Sequence, residues 1–153
     1  MAHELVIRTR IIQSGTFKNA SIGIDKGRIS AVGQNLKGEK EFHFEDYLAL
    51  PGGVDIHTHM REPGFESKED FFTGTRSAAF GGTTTILDMP NTDPAVENAM
   101  ALDHKLDLVM GKANVDFGLF AQLSDVDEIE RMAGMAIGFK LFMADTTSAV
   151  ASP

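Results

Sequence analysis

Apolar and polar residues change their rhythm along the chain near Pro51. Before it, residues 5–12 alternate apolar and polar positions, the period-two signature of a strand with one covered face. Residues 21–24 and 28–32 are joined through Asp25-Lys26-Gly27, with glycine where a tight hairpin needs positive φ. Residues 42–50 read as another short strand. The pattern predicts a small antiparallel, β-rich segment over residues 1–50.

After Pro51 the strands become continuously apolar and alternate with helical periodicity, as in a parallel sheet covered on both faces. Strands are expected over residues 54–60, 83–89, 115–123 and 136–143. Ser67 with Asp70 three positions on resembles a capping box. Phe71, Phe72, Thr75, Ala78 and Ala79 then share one helical face, and Gly81-Gly82 ends the run. A second helix over residues 96–110 would bury Ala99, Leu102, Leu106 and Val109. A third begins near Ser124 with acidic residues in its first turn, where they complement the helix dipole.

About four βα units result, which sets an arithmetic problem. A closed (β/α)8 barrel takes about 250 residues, and only about a hundred follow Pro51. An open doubly wound sheet is the other way to arrange parallel strands, but no Gly-x-Gly-x-x-Gly turn or phosphate loop follows the first of them. The expected fold class is therefore α/β: residues 51–153 as the N-terminal half of a TIM barrel, preceded by the β-rich segment of residues 1–50.

Composition narrows the classes of function. Of 153 residues, 42% are hydrophobic and 24% charged, as in an ordinary globular domain. Fourteen Lys and Arg against twenty-two Asp and Glu give a net charge of -8, so no global positive field gathers nucleic acid or anionic lipid. No stretch reaches the roughly 18 apolar residues of a membrane span, and the start MAHELVIRTR lacks a signal peptide's apolar core. A cytoplasmic protein is expected. There is no cysteine, so any metal must be held by His, carboxylate or something rarer.

Asp55, His57 and His59 fall at period two in VDIHTH and would share one face, the interior in a barrel. Two imidazoles so placed can meet one borderline ion such as Zn²⁺. The plain alternative is a pair of polar strand residues satisfied by solvent or carbonyls, but the pair ends an apolar strand where barrel active sites lie. Lys140 sits inside AIGFKLFM, where burying an ammonium is expensive. An ion pair or a snorkelling stem would relieve it. Alternatively burial favours the neutral amine, which can take up carbon dioxide to become a carbamate, a carboxylate on a long stem. Arg61 and Asn91 follow the first two parallel strands, where a guanidinium fork and an amide donor suit a carboxylate. A local ion pair of Arg61 with Glu62 is the competing use. Glu62-Pro63-Gly64 and the run from Pro90 to Pro94 read as stiff turns, and His3, His43 and His104 have no partner spacing.

At these residues the chain resembles the dihydroorotases of the cyclic amidohydrolase branch of the amidohydrolase superfamily. The resemblance is carried by PGGVDIHTHMREPGFESKEDFFTGTRSAAFGGTTTILDMPNTDP and by GFKLFM, in that order. The segment before Pro51 resembles the small composite sandwich that precedes the family's barrel. The resemblance implies that His57 and His59 bind one metal and that Lys140 is a carboxylated lysine bridging two Zn²⁺ ions. It also implies that Arg61 and Asn91 hold the substrate carboxylate. The implied activity is metal-dependent, reversible ring opening of dihydroorotate to carbamoyl aspartate, a step of pyrimidine biosynthesis. Allantoinase and hydantoinase relatives share the His pair and the lysine but usually lack the arginine. Small molecules are the implied partners.

The family's other metal histidines and its general-base aspartate lie on later barrel strands, beyond Pro153. The expectation is a fragment with no complete catalytic set, inactive alone, whose last strand leaves an open edge for homo-oligomeric or other association. A catalytically silent barrel fragment that binds a partner is the alternative from a different class.

Overall fold

The computed structural model describes residues 2–123 and 125–145. The chain divides into two compact units, Met1–Pro51 and Gly52–Pro153.

The first unit is one four-stranded sheet of β1 (His3–Gln13), β2 (Thr16–Asp25), β3 (Arg28–Gly33) and β4 (Gly38–Leu48), in the order β3-β2-β1-β4. Two-residue turns make its hairpins. Ser14 and Gly15 have φ of 51° and 74°, Lys26 and Gly27 of 52° and 72°. Positive φ at both central positions matches the right-handed twist of the flanking strands. The antiparallel expectation holds for β1, β2 and β3 but not for β4, which runs parallel to β1 with a register shift after Thr9. Alternation fixes which face a residue occupies and says nothing about strand direction. Residues 34–37 carry the chain from one edge of the sheet to the other, where Arg8 Nη2 donates to the Leu36 carbonyl at 3.1 Å.

The second unit holds β5 (Gly53–Thr58), α1 (Phe71–Phe80), β6 (Thr83–Asp88), α2 (Ala99–Met110), β7 (Asp116–Gln122), α3 (Val126–Met132) and β8 (Gly138–Lys140). Its strands are all parallel and in sequential order β5-β6-β7-β8. A doubly wound sheet reverses its strand order at a switch point, whereas sequential order is how a barrel is built. The expected α/β half-barrel is what the chain forms. Phe71, Ile86, Val96, Leu102, Val109, Leu119, Ala121 and Met132 make its core, each large apolar side chain contributing about 1.5–3 kcal/mol. No helix among the described residues is long and apolar enough to cross a membrane.

Local signals differ from expectation in informative ways. Asp70, not Ser67, caps α1, its carboxylate accepting from Thr73 N. Phe72, expected on the covered face, is exposed. Helix α2 starts at Ala99 rather than Val96, because Asn98 caps it and Val96 N–H donates to the Pro90 carbonyl. Helix α3 is capped by Asp125, with Asp127 and Glu128 in its first turn; Ser124 lies outside the described residues. The strand expected over residues 136–143 contracts to three residues, the length over which β7 offers it partners.

Candidate functional site

The C-terminal ends of the parallel strands converge on a cavity of about 330 Å³ lined by His57, His59, Arg61, Met89, Asn91, Lys140 and Phe142. Strand β5 carries His57, and the chain leaving it carries His59 and Arg61. The loop after β6 carries Asn91, and Lys140 is the last residue of β8. Five of the six residues singled out from the sequence, His57, His59, Arg61, Asn91 and Lys140, therefore meet in one place. Asp55 does not join them; its Oδ1 accepts the His57 N–H at 3.1 Å, and the β5–β6 register shifts between Asp55 and Thr58. Met89 and Phe142, hidden in the sequence as two more apolar residues, form part of the wall. A slightly larger hollow of about 380 Å³ in the first unit, bordered by Arg8, Ser21 and Glu45, contains no histidine, and its Arg8 is already paired with Glu41 at 2.8 Å.

The His57 and His59 rings lie 5.3 Å apart, tilted by 53°. Burial holds the His59 imidazole below the usual histidine pKa, the nearby Arg61 cation adding to the effect, while a side-chain hydrogen bond with Asn91 works the other way. The neutral ring is the form that can donate a lone pair to a metal. Asn91, 8% exposed, thus touches one candidate ligand directly.

Arg61 has φ of 61°, a left-handed conformation uncommon for a residue with a side chain. Such strain persists where surrounding structure imposes it. The ion pair with Glu62 weighed from the sequence is not formed. Glu62 turns inward, accepts the Phe71 N–H at the start of α1 at 2.9 Å, and pairs with Lys112. Among the described residues no carboxylate forms a salt bridge with Arg61. Its guanidinium borders the cavity with its planar donor fork uncommitted to an acid.

Lys140 departs from expectation in its burial. It is half-exposed on the cavity wall, its Nζ 5.8 Å from the centroid of the Phe142 ring, and no carboxylate among the described residues pairs with it. The strand's apolar neighbours misled because Lys140 ends β8, where the cavity admits solvent.

No group of three or more His, Cys, Asp or Glu side chains gathers among the described residues as a ready metal cage. The donor set on the wall is instead two imidazoles and one amine. Two adjacent histidines, one held neutral by burial, suit an imidazole-binding ion such as Zn²⁺. The lysine suits a metal once its amine has become a carbamate. The residues present fit the group.

Comparison with known proteins gives a consistent picture. Residues 48–151 match the family model described as the Amidohydrolase family. The chain is 42% identical over 127 residues to a dihydroorotase of Methanothermobacter thermautotrophicus, covering 80% of this chain and 29% of that protein. It is 38% identical over 151 residues to an allantoinase of Rubrobacter xylanophilus, covering 95% of this chain and 33% of that one. Among solved structures it resembles an L-hydantoinase from Arthrobacter aurescens with a TM-score of 0.86 and 25% identity, over 98% of this chain and 36% of that one. The chain spans about a third of the length of these relatives. A model match across two thirds of the sequence, with the half-barrel and its convergent histidines, places the chain in the amidohydrolase family.

Proposed function

We propose that this chain carries the N-terminal half of a dihydroorotase-type cyclic amidohydrolase site that opens dihydroorotate reversibly to carbamoyl aspartate. The observation that carries the reading is the meeting of His57, His59, Lys140, Asn91 and an acid-free Arg61 in one cavity. In this reading His57 and His59 hold one Zn²⁺. Lys140 would help to hold a second ion as its carbamate, which forms when the neutral amine adds to carbon dioxide and releases one proton. When bound, such an ion pair supplies Lewis acidity and a water acidic enough to ionise near neutral pH.

The chain's own residues bind and orient the substrate. Arg61 presents two parallel N–H donors to the ring carboxylate, the strongest neutral-pH grip available to a planar anion. Asn91, already bonded to His59, links substrate placement to the metal ligand. Met89 and Phe142 exclude water from the flank of the ring. Correct placement of reacting groups contributes up to about 7–11 kcal/mol toward the barrier. The 153 residues hold three candidate metal ligands and no assigned general base, so we also propose that they turn over no substrate alone.

Dihydroorotate hydrolysis measured on this chain and on a longer protein containing it tests the reading. Turnover is expected in the longer protein only, and its absence there would defeat the proposal. Allantoinase activity is the second reading, favoured by the relative of that name. Arg61→Ala separates the two: loss of dihydroorotate turnover supports the carboxylate grip, whereas unchanged dihydroorotate turnover removes it.

A further inference from the structure

We propose that Asp88 and Lys105 form a buried clamp that positions the His59–Arg61 loop against the Asn91 loop, a role that rests on the site assignment above. Asp88 ends β6 and Lys105 lies on α2; their side chains are 0% and 1% exposed and pair at 2.7 Å. The two carboxylate oxygens have different partners. Oδ2 accepts from Lys105 Nζ, and Oδ1 accepts the Met60 N–H at 2.7 Å. Lys105 Nζ also donates to the Met89 carbonyl at 3.3 Å.

Met60 stands between His59 and Arg61, and Met89 two residues before Asn91. One ion pair thus grips the backbone of both loops whose side chains line the cavity. Two backbone hydrogen bonds also join these segments, Met89 N–H to the Thr58 carbonyl at 2.9 Å and, farther along both loops, Asp93 N–H to the Pro63 carbonyl at 3.1 Å. Both loops lie beyond the ends of their strands, where ladder hydrogen bonds no longer fix them. The His59–Asn91 hydrogen bond and the placement of Arg61 depend on where these two segments sit.

Economy of stability does not account for the pair. Desolvating two charges is costly, and apolar side chains of similar volume often serve a core as well or better. What a leucine could not do is offer an oxygen to Met60 N–H. Asp88 and Lys105 are therefore positioning residues; neither lines the cavity.

Two doubly neutral variants of the full chain isolate that function: Asp88→Asn with Lys105→Met, and Asp88→Leu with Lys105→Met. Both remove the buried charges, but only asparagine keeps an oxygen for Met60. Zn²⁺ affinity is read by chelator competition, and amide exchange at Met60 is read beside it. The asparagine variant should bind Zn²⁺ within a few-fold of the parent. The leucine variant should lose about 10–100-fold, the range seen when groups that orient metal ligands are removed, and its Met60 amide should exchange faster. Equal affinity in two folded variants would overturn the clamp. Should the leucine variant not fold, the parent still decides: Met60 must be slow to exchange although it lies in no strand, and a fast Met60 amide contradicts the proposal. A parent chain that binds no Zn²⁺ would instead defeat the metal assignment, and the clamp's purpose with it.

Discussion

The two units solve the problem of charged residues in opposite ways. In the first, charges stay near solvent: Arg8 pairs with Glu41, His43 with Glu45, and Asp25 gathers Ser30, His3 and the Glu4 N–H. Among its described residues, only Val6, Thr9 and Ser21 have deeply buried side chains. In the second, Glu62, Asp88 and Lys105 are taken into the interior and given partners there. Charges that a sheet can leave in water are cheap, and their loss is correspondingly tolerable. Charges carried inside must earn their place by holding something, and here they hold the backbone next to the candidate ligands.

That contrast predicts a graded series of effects. Lys105→Met alone strands the Asp88 carboxylate in the core and should cost about 3–5 kcal/mol in denaturant unfolding. Adding Asp88→Asn should recover most of the loss; no recovery would mean that packing of the lysine stem, not charge, governs the site. Asn98→Ala removes the side-chain acceptor for Ala101 N at the start of α2 and should cost about 1 kcal/mol. Arg8→Met, in the first unit, should cost less than either, and its effect should shrink further in added salt because the Arg8–Glu41 pair is screened. A salt-independent loss as large as that of Lys105→Met would erase the distinction between the units.

The smallest effect concerns acid. The Ser30 hydroxyl, followed by His3 and the Glu4 N–H, holds the Asp25 carboxyl down from 3.8 to about 2. A carboxyl depressed in the folded state stabilises it above the unfolded value and ceases to do so as pH falls through the folded one. Asp25→Asn should therefore destabilise the first unit at neutral pH, with the difference from the parent fading between about pH 4 and pH 2. A difference that persisted at pH 2 would show that the carboxylate's charge is not what the variant removes.

Much of this architecture is legible in residue patterns, and the parts that are not have physical reasons. The change from alternating to continuous apolar strands at Pro51 marks the boundary between the two units, although Val54 and Ile56 of β5 remain exposed, so an apolar run does not by itself report a strand covered on both faces. Gly27 marks its hairpin because the positive φ of that turn position favours glycine. The direction of β4 is invisible, since a strand's faces look the same whichever way it runs. Lys105 could have been found: it lies three residues after Leu102 and four before Val109, in the middle of the covered face of α2. The apolar context of Lys140 suggested burial, yet the amine that is buried is Lys105, because a strand's last residue can face a cavity while a mid-helix position cannot escape the core. That Glu62 would choose Lys112 and leave Arg61 without an acid partner depends on tertiary placement that no local spacing encodes.

Zn²⁺ titration of the full chain against its His57→Ala, His59→Ala double variant tests the central assignment most directly. Tight binding by the parent that disappears in the double variant is the predicted result, since His3, His43 and His104 remain as controls for adventitious sites. Equal binding by both would show that the metal, if any, sits elsewhere, and would contradict the account.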